Sequence, residues 1–260
     1  MTTGPLTRAE QLRASPPVFA SPSLDRFTRV HPAAPVVLYG PAVFAFVVMA
    51  LRTTHWPIAA ALFLTGYLAW TLTEYWAHRT AFHWVPPGRW GRRVHWMMHG
   101  IHHDHPNDAR RLVVPPLASL PVAVGVFLLF RCLPGKGVDF AVTAGFLTGY
   151  LAYEMVHFHV HHHRPSTKLG RSLRRGHLLH HFQDDERGFG VSCPYWDYVF
   201  GTAPKPPSPR GKAVEAPCAA LAALRRELSR ARRSRLVPGV ADRPALDPRA
   251  PRHGQERGSA

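Results

Sequence analysis

His99-Gly100-Ile101-His102-His103 places three imidazoles within five residues, and the sequence around it decides the fold. The same HxxHH spacing returns at His177-Leu178-Leu179-His180-His181. Two further clusters are His78-Arg79-Thr80-Ala81-Phe82-His83, spaced HxxxxH, and His157-Phe158-His159-Val160-His161-His162, spaced HxxxHH. Most of the 18 histidines of the 260-residue chain therefore fall into four clusters, each beside a long apolar run. That placement predicts metal chemistry at a membrane surface.

Outward from the clusters, apolar runs cover Ala33 to Leu51, Pro57 to Thr73, Leu112 to Phe130 and Val138 to Val156. A helix needs about 20 apolar residues to cross a hydrocarbon core. The expected fold is thus an all-α membrane protein with four transmembrane helices in two hairpins. The second run is short, Asp139 and Glu154 lie near the ends of the fourth, and Pro41, Pro115, Pro116 and Pro121 interrupt others, which leaves partial or tilted insertion open. Four buried helices of a soluble bundle are the other alternative, opposed by apolar character that continues around the helix rather than alternating. The segment between the second and third runs holds Arg79, Arg89, Arg92, Arg93, Arg110 and Arg111, whereas the hairpin turns hold only Arg52, then Arg131 and Lys136. By the positive-inside rule the metal site and both termini belong on the cytoplasmic side.

Three stretches are expected: a flexible N-terminal segment over 1–32, a membrane-embedded domain over 33–202, and a basic, largely disordered tail over 203–260. The first lacks the basic start, apolar stretch and small-residue cleavage site of a signal peptide. Within the tail, 216–236 fits either a basic amphipathic helix on a membrane or a solvated segment, and disorder is expected after Pro238. The net charge of +16 owes much to tail residues such as Arg225, Arg226, Arg230 and Arg232. With no recognition helix, zinc finger or RNA-binding signature, this charge points to anionic lipid headgroups and no nucleic acid. Cys132, Cys193 and Cys218 are widely spaced and form no CxxC pair, so neither a disulfide framework nor a thiolate metal site is expected.

Positions i, i+3 and i+4 share a helix face, so His99, His102 and His103 are expected in one site, as are His177, His180 and His181. His157, His161 and His162 nearly share a face. His78 and His83 are five apart and converge only if their helix bends or ends between them. About eleven imidazoles converging without metal would repel one another on protonation, and neutral imidazole is the commonest transition-metal ligand. Octahedral coordination stops at six, so about eleven imply two ions. Structural zinc would more usually recruit cysteine, and iron suits a nitrogen-rich site open to dioxygen; iron is preferred, zinc being able to replace it on purification. Glu74, Asp104, Asp108 and Glu154 flank the clusters and are expected either to receive a second imidazole N–H or to form surface ion pairs.

The stretch from Glu74 to Thr202 resembles the fatty acid 2-hydroxylases of the fatty acid hydroxylase and sterol desaturase superfamily. The resemblance rests on Glu74-Tyr75-Trp76-Ala77-His78-Arg79 with Phe82-His83, and on His99 to His103 followed by Pro106, Asp108, Arg111-Leu112-Val113 and Pro115-Pro116. It continues through Gly149-Tyr150, Tyr153, His157 and His161-His162 to His177, His180-His181-Phe182, Gly188-Phe189-Gly190-Val191 and Trp196-Asp197-Tyr198. It implies four transmembrane helices capped by a cytosolic helical domain holding a histidine-rich dimetal site. It also implies hydroxylation of the carbon next to an acyl carboxyl, with dioxygen as co-substrate. The implied ligands are His78, His83, His99, His102, His103, His157, His161, His162, His177, His180 and His181. Glu154 stands where the family commonly has Asp, and Phe158 where it commonly has Tyr, while His95, His105, His159 and His163 match no ligand position.

No HPGG sequence of a fused cytochrome b5 domain is present, so electrons are expected from a separate donor such as ferredoxin or cytochrome b5, docked on basic surface. Asp108, Arg111 and Glu154 are the polar neighbours expected to contact the lipid headgroup or support the site. The competing readings are a sterol or carotenoid hydroxylase or desaturase of the same superfamily and a non-catalytic zinc-binding membrane protein.

Overall fold

The structure, a computed structural model, describes residues 6–205, so the helix expected over 216–236 lies outside the described residues. Every described regular element is helical: α1 (Arg8–Arg13), α2 (Pro22–Asp25), α3 (Ala34–Thr53), α4 (Trp56–Trp76), α5 (Gly88–His95), α6 (Ile101–Asp104), α7 (Pro116–Phe130), α8 (Val138–His162), α9 (Lys168–Phe182) and α10 (Tyr195–Val199). A π-helical turn over Ala77–Phe82 prolongs α4, and another over Trp96–Gly100 joins α5 to α6. Helices α3, α4 and α7 each carry a proline in the first turn, where the missing N–H would have had no intrahelical partner.

Helix α8 is the hub, packed chiefly against α4 and α3. Glycine makes this possible. A Cβ at Gly145 would stand 1.8 Å from the Phe63 carbonyl oxygen, and one at Gly66 would stand 2.0 Å from that of Val142, so α4 and α8 meet backbone to backbone. Close approach through small residues is how helices associate in lipid, where dispersion contact replaces the hydrophobic effect. Around it, Tyr39, Leu147, Tyr150, Tyr153 and Val191 form the main buried cluster.

Outward-facing Val37, Phe44, Leu117, Val122 and Leu129 are each 65 % exposed or more. Only 17 % of the apolar window of α3, and 17 % of that of α4 with its π turn, is buried. A soluble bundle would bury more of these faces. Two helices among the described residues, α3 and α4 with its π turn, are long and apolar enough to cross a membrane, against the four expected. The third run starts later than its apolar sequence: Leu112 and Val113 are buried outside any helix, and α7 begins at Pro116 with 15 residues. Pro115 and Pro116 hold the residues before them out of the helical region. The resulting helix is about 22 Å long, short of a hydrocarbon core of about 30 Å. The fourth run continues as α8 to His162, 25 residues in all, and is largely buried by its neighbours.

Groups of the N-terminal segment bond to the rest of the fold. His105 Nδ1 donates to the Gln11 carbonyl at 2.6 Å, Asn107 N to Leu12 O at 3.0 Å, and Val30 N to Arg110 O at 2.7 Å. Asp25, 6 % exposed, accepts from Val18 N at 2.6 Å and from Arg29 and Arg111. Arg111 lies 86 residues from Asp25, which is why local composition does not reveal this contact.

Candidate metal centre

Ten imidazoles converge in two groups of five. His78, His83, His99, His103 and His180 form one, and His102, His157, His161, His177 and His181 the other; in each, one nitrogen per ring lies within 4.8 Å of all the others. Both HxxHH motifs are therefore split between the groups, contrary to the expectation that each serves one site. The outer pair, i and i+4, goes to one group and the middle histidine to the other. Positions i+3 and i+4 stand about 100° apart around a helix, so their rings can address sites on either side of position i.

The shortest contacts in the first group are His78 Nε2 to His99 Nε2 at 3.1 Å, His83 to His180 at 3.1 Å and His103 to His99 at 3.1 Å. In the second they are His161 to His177 at 2.8 Å, His157 to His102 at 3.0 Å and His181 to His177 at 3.1 Å. Two nitrogens bound at right angles to one ion at about 2.1 Å are about 3.0 Å apart. The edges of both groups thus have the length of a coordination polyhedron. The rings of His103 and His181 stack at 4.2 Å between centroids, which makes the groups neighbours.

The local fold explains the odd spacing at His78 and His83. Over the π turn the His83 N–H donates to the His78 carbonyl, an i to i+5 bond of 3.3 Å. The wider turn brings residues five apart onto one side, so the two Nε2 atoms approach to 3.3 Å.

Tautomers follow from the partners of the outer ring nitrogens. His78 Nδ1 lies 2.7 Å from the Phe189 carbonyl and His180 Nδ1 2.7 Å from that of Arg187. A carbonyl can only accept, so each Nδ1 carries the proton and each neutral ring turns a bare Nε2 toward the centre. Burial, reinforced by neighbouring imidazoles, pushes His83 and His102 down to about 3 and His103 to about 2, and holds His99, His177 and His181 well below the usual range. Neutral, buried, convergent nitrogen donors fit a pair of transition-metal ions.

Of the two alternatives for the flanking carboxylates, imidazole N–H acceptor or ion pair, an ion pair is found for Asp108, with Arg111 at 3.9 Å, and other donors fill these carboxylates. Glu74 accepts from Ser192 N at 2.7 Å and from the Ser192 hydroxyl, Asp104 from Trp96 Nε1 at 2.9 Å, Asp108 from Arg110 N at 3.1 Å and Glu154 from Val114 N at 3.1 Å. Backbone carbonyls of the 187–190 strap serve His78 and His180 instead. The strap is fastened by Asp197, fully buried, whose carboxylate accepts from Phe189 N at 2.9 Å, Gly190 N at 2.8 Å and the Thr202 hydroxyl at 2.8 Å. Burial pushes the Asp197 carboxyl up from its usual range, and those donors oppose it.

Residues 63–202, more than half of the chain, match the model of the fatty acid hydroxylase family. The chain belongs to that family. Across 190 residues this hydroxylase is 34% identical to a dihydroceramide fatty acyl 2-hydroxylase of Arabidopsis thaliana, covering 73% of this chain and 80% of the plant protein. It is 35% identical over 204 residues to a ceramide very long chain fatty acid hydroxylase of Saccharomyces cerevisiae, covering 77% of this chain and 52% of the yeast one. With human fatty acid 2-hydroxylase it shares 39% identity over 160 residues, 58% of this chain and 43% of the other. It thus spans about half or less of the yeast and human relatives. Among solved structures it resembles full-length scs7p, of which only the hydroxylase domain is visible, with a TM-score of 0.68, 34% identity, and 73% and 72% of the two chains covered.

The remaining site residues of this family member take varied places. His162 joins neither group: its ring lies 4.6 Å from that of Phe158 and its buried Nε2 has no hydrogen-bond partner. It is one position past His161, and that step of about 100° turns it off the converging face. Arg111 donates to the Pro16 carbonyl and to Asp25 at 3.2 Å, tying the N-terminal segment to the stretch that follows His103, and its Nε is 3.9 Å from Asp108. Glu154 is fully buried three residues before His157, with the Tyr150 side chain beside its carboxyl. Asp197 entered the sequence reading only within the Trp196-Asp197-Tyr198 stretch of the resemblance, with no role, because its effect passes through main-chain atoms that any sequence possesses.

Proposed function

We propose that this chain hydroxylates a fatty acyl chain at C2, with dioxygen as co-substrate and two iron ions held by the ten converging imidazoles. The observation that carries the reading is the pair of adjacent, buried five-nitrogen groups within a fatty acid hydroxylase domain. The relatives named as fatty acyl 2-hydroxylases support the position of attack. Two bound irons supply the redox chemistry that inserts one oxygen atom into a C–H bond and releases the other as water, consuming two electrons and two protons.

The residues of the chain do the rest. Strap carbonyls hold His78 and His180 in the ligand tautomer, and burial keeps the imidazoles neutral. Glu154, fully buried three residues before His157, can hold a proton beside that end of the centre. Asp108 and Arg111 keep the N-terminal segment closed over the loop that follows His103. A cavity of about 380 Å³ bordered by His83, Arg92, His95 and His103 offers access to the first group. The apolar faces of α3 and α4 admit the substrate laterally from the bilayer, with α7 and α8 completing four membrane segments. In this arrangement the centre and both termini are cytoplasmic, and exposed Arg89 and Arg92 receive a separate acidic donor such as ferredoxin or cytochrome b5.

Mass spectrometry of lipids from cells expressing the chain tests the reading. The expected product is an acyl chain heavier by one oxygen at C2, absent when His102 is replaced by Ala. A hydroxyl elsewhere, a new double bond, or unmodified lipid beside folded, iron-loaded protein contradicts it.

A further inference from the structure

The two groups of imidazoles are supported differently. In the first, His78 and His180 donate their Nδ1 protons to the carbonyls of Phe189 and Arg187, both at 2.7 Å. In the second, Nδ1 of His157, His177 and His181 is buried with no hydrogen-bond partner in the protein. Two of five ligands of one group therefore depend on one short stretch of backbone, and no such dependence is found at those three ligands of the other.

That stretch has no regular structure of its own to hold it. Gly188 adopts φ +82°, open to glycine, and a Cβ at Gly190 would stand 2.4 Å from the Cys193 carbonyl and 2.9 Å from Asp197 Oδ2. Its position comes from Asp197, whose two carboxylate oxygens take the successive N–H groups of Phe189 and Gly190, together with the Thr202 carbonyl, which accepts from Gly188 N at 2.9 Å. Asp197 is fixed in turn: Thr202 donates its hydroxyl to Oδ1 at 2.8 Å and its N–H to the Asp197 carbonyl at 2.7 Å, and the Tyr75 hydroxyl lies 2.9 Å from that of Thr202. Tyr75 closes the path, lying on α4 three residues before His78.

We propose that Asp197 is a positioning residue for one metal ion only: through the 187–190 strap it sets the tautomer and aim of His78 and His180, and so the retention of the ion held by the first group. Asp197 itself touches neither ring. The proposal rests on the reading that the two groups hold two ions, and its test separates the two claims.

The test is metal content and chelator-driven release, measured on the purified full chain loaded with zinc or ferrous iron. Asp197→Asn keeps the size of the side chain but turns one acceptor into a donor facing an N–H of the strap. The expected result is two ions in the wild type and selective loss from the variant, with one ion leaving about 10- to 100-fold faster and the other at its original rate. A disturbance of the fold in general would speed both equally. Two ions leaving Asp197→Asn at wild-type rates, or both accelerating alike, overturns the proposal while leaving the dimetal reading intact. A wild type that takes up no metal overturns both. Should Asp197→Asn lose its helical signal, Thr202→Val carries the same test, since it removes one hydroxyl donor and keeps both strap bonds; faster release of one ion alone is again expected, and equal or unchanged rates refute it.

Discussion

His102 and His103 are neighbours in the chain, yet their rings belong to different imidazole groups, and on the proposed two-ion reading substituting each with alanine tests that division. His102 Nε2 lies 3.0 Å from His157 and His103 Nε2 3.1 Å from His99. A four-ligand zinc site is worth about 10–16 kcal/mol, or roughly 2.5–4 kcal/mol per ligand, so one lost imidazole weakens its ion by about two to three powers of ten. The double variant H102A/H103A leaves four nitrogens to each ion, whereas H99A/H103A leaves three to one ion and five to the other. Titration with a graded series of chelators, read by metal content, distinguishes the cases. In the first variant both ions weaken by similar factors; in the second one ion is lost and the other keeps wild-type affinity. If H102A and H103A weaken the same ion, or H99A/H103A weakens both alike, the division of the HxxHH motifs is refuted.

Acid should destabilise the metal-free protein. Its His83 and His102 titrate near pH 3 and His103 near pH 2, against about 6.5 when unfolded, so between these limits the unfolded chain binds more protons. Stability is complete above about pH 6.5 and declines toward pH 3; a thermal midpoint that rises on acidification would contradict this. Gly145→Ala forces a methyl group to within 1.8 Å of the Phe63 carbonyl oxygen, and separating α4 from α8 should cost about 1–3 kcal/mol, seen as a lower unfolding temperature in detergent. Asp25→Ala takes from the buried Arg111 guanidinium the nearer of its two carboxylates, leaving Asp108 at 3.9 Å, at a cost of about 3 kcal/mol, and limited proteolysis should then cut within residues 6–32 much sooner than in the wild type.

Helix α3 and most of α4 were legible in the sequence because lipid-facing helices announce themselves by composition alone. The late start of α7 was also written there, in Pro115-Pro116, but continuous hydropathy across Leu112 to Val114 concealed it. The contacts of the N-terminal segment were not legible, since its Pro-rich, mixed-charge composition is indifferent to whether Arg111, 86 residues after Asp25, stands ready to pair with it.

Imidazole chemistry needs no neighbours to be recognised: ten of the eleven histidines inferred as ligands converge, and their number alone demanded more than one ion. Which nitrogen serves which ion depends on ring directions, and these are set by a π turn at Ala77–Phe82 and by helices meeting at a distance, neither of which residue spacing encodes. The same holds for tautomers. A carboxylate near a histidine in sequence looks like its partner, but Glu74, Asp108 and Glu154 spend their oxygens on backbone N–H groups, and carbonyls delivered by a strap more than a hundred residues from His78 take the His78 proton instead. Side-chain identity determined the kind of chemistry; the path of the backbone, whose polar groups are the same at every residue, decided its geometry.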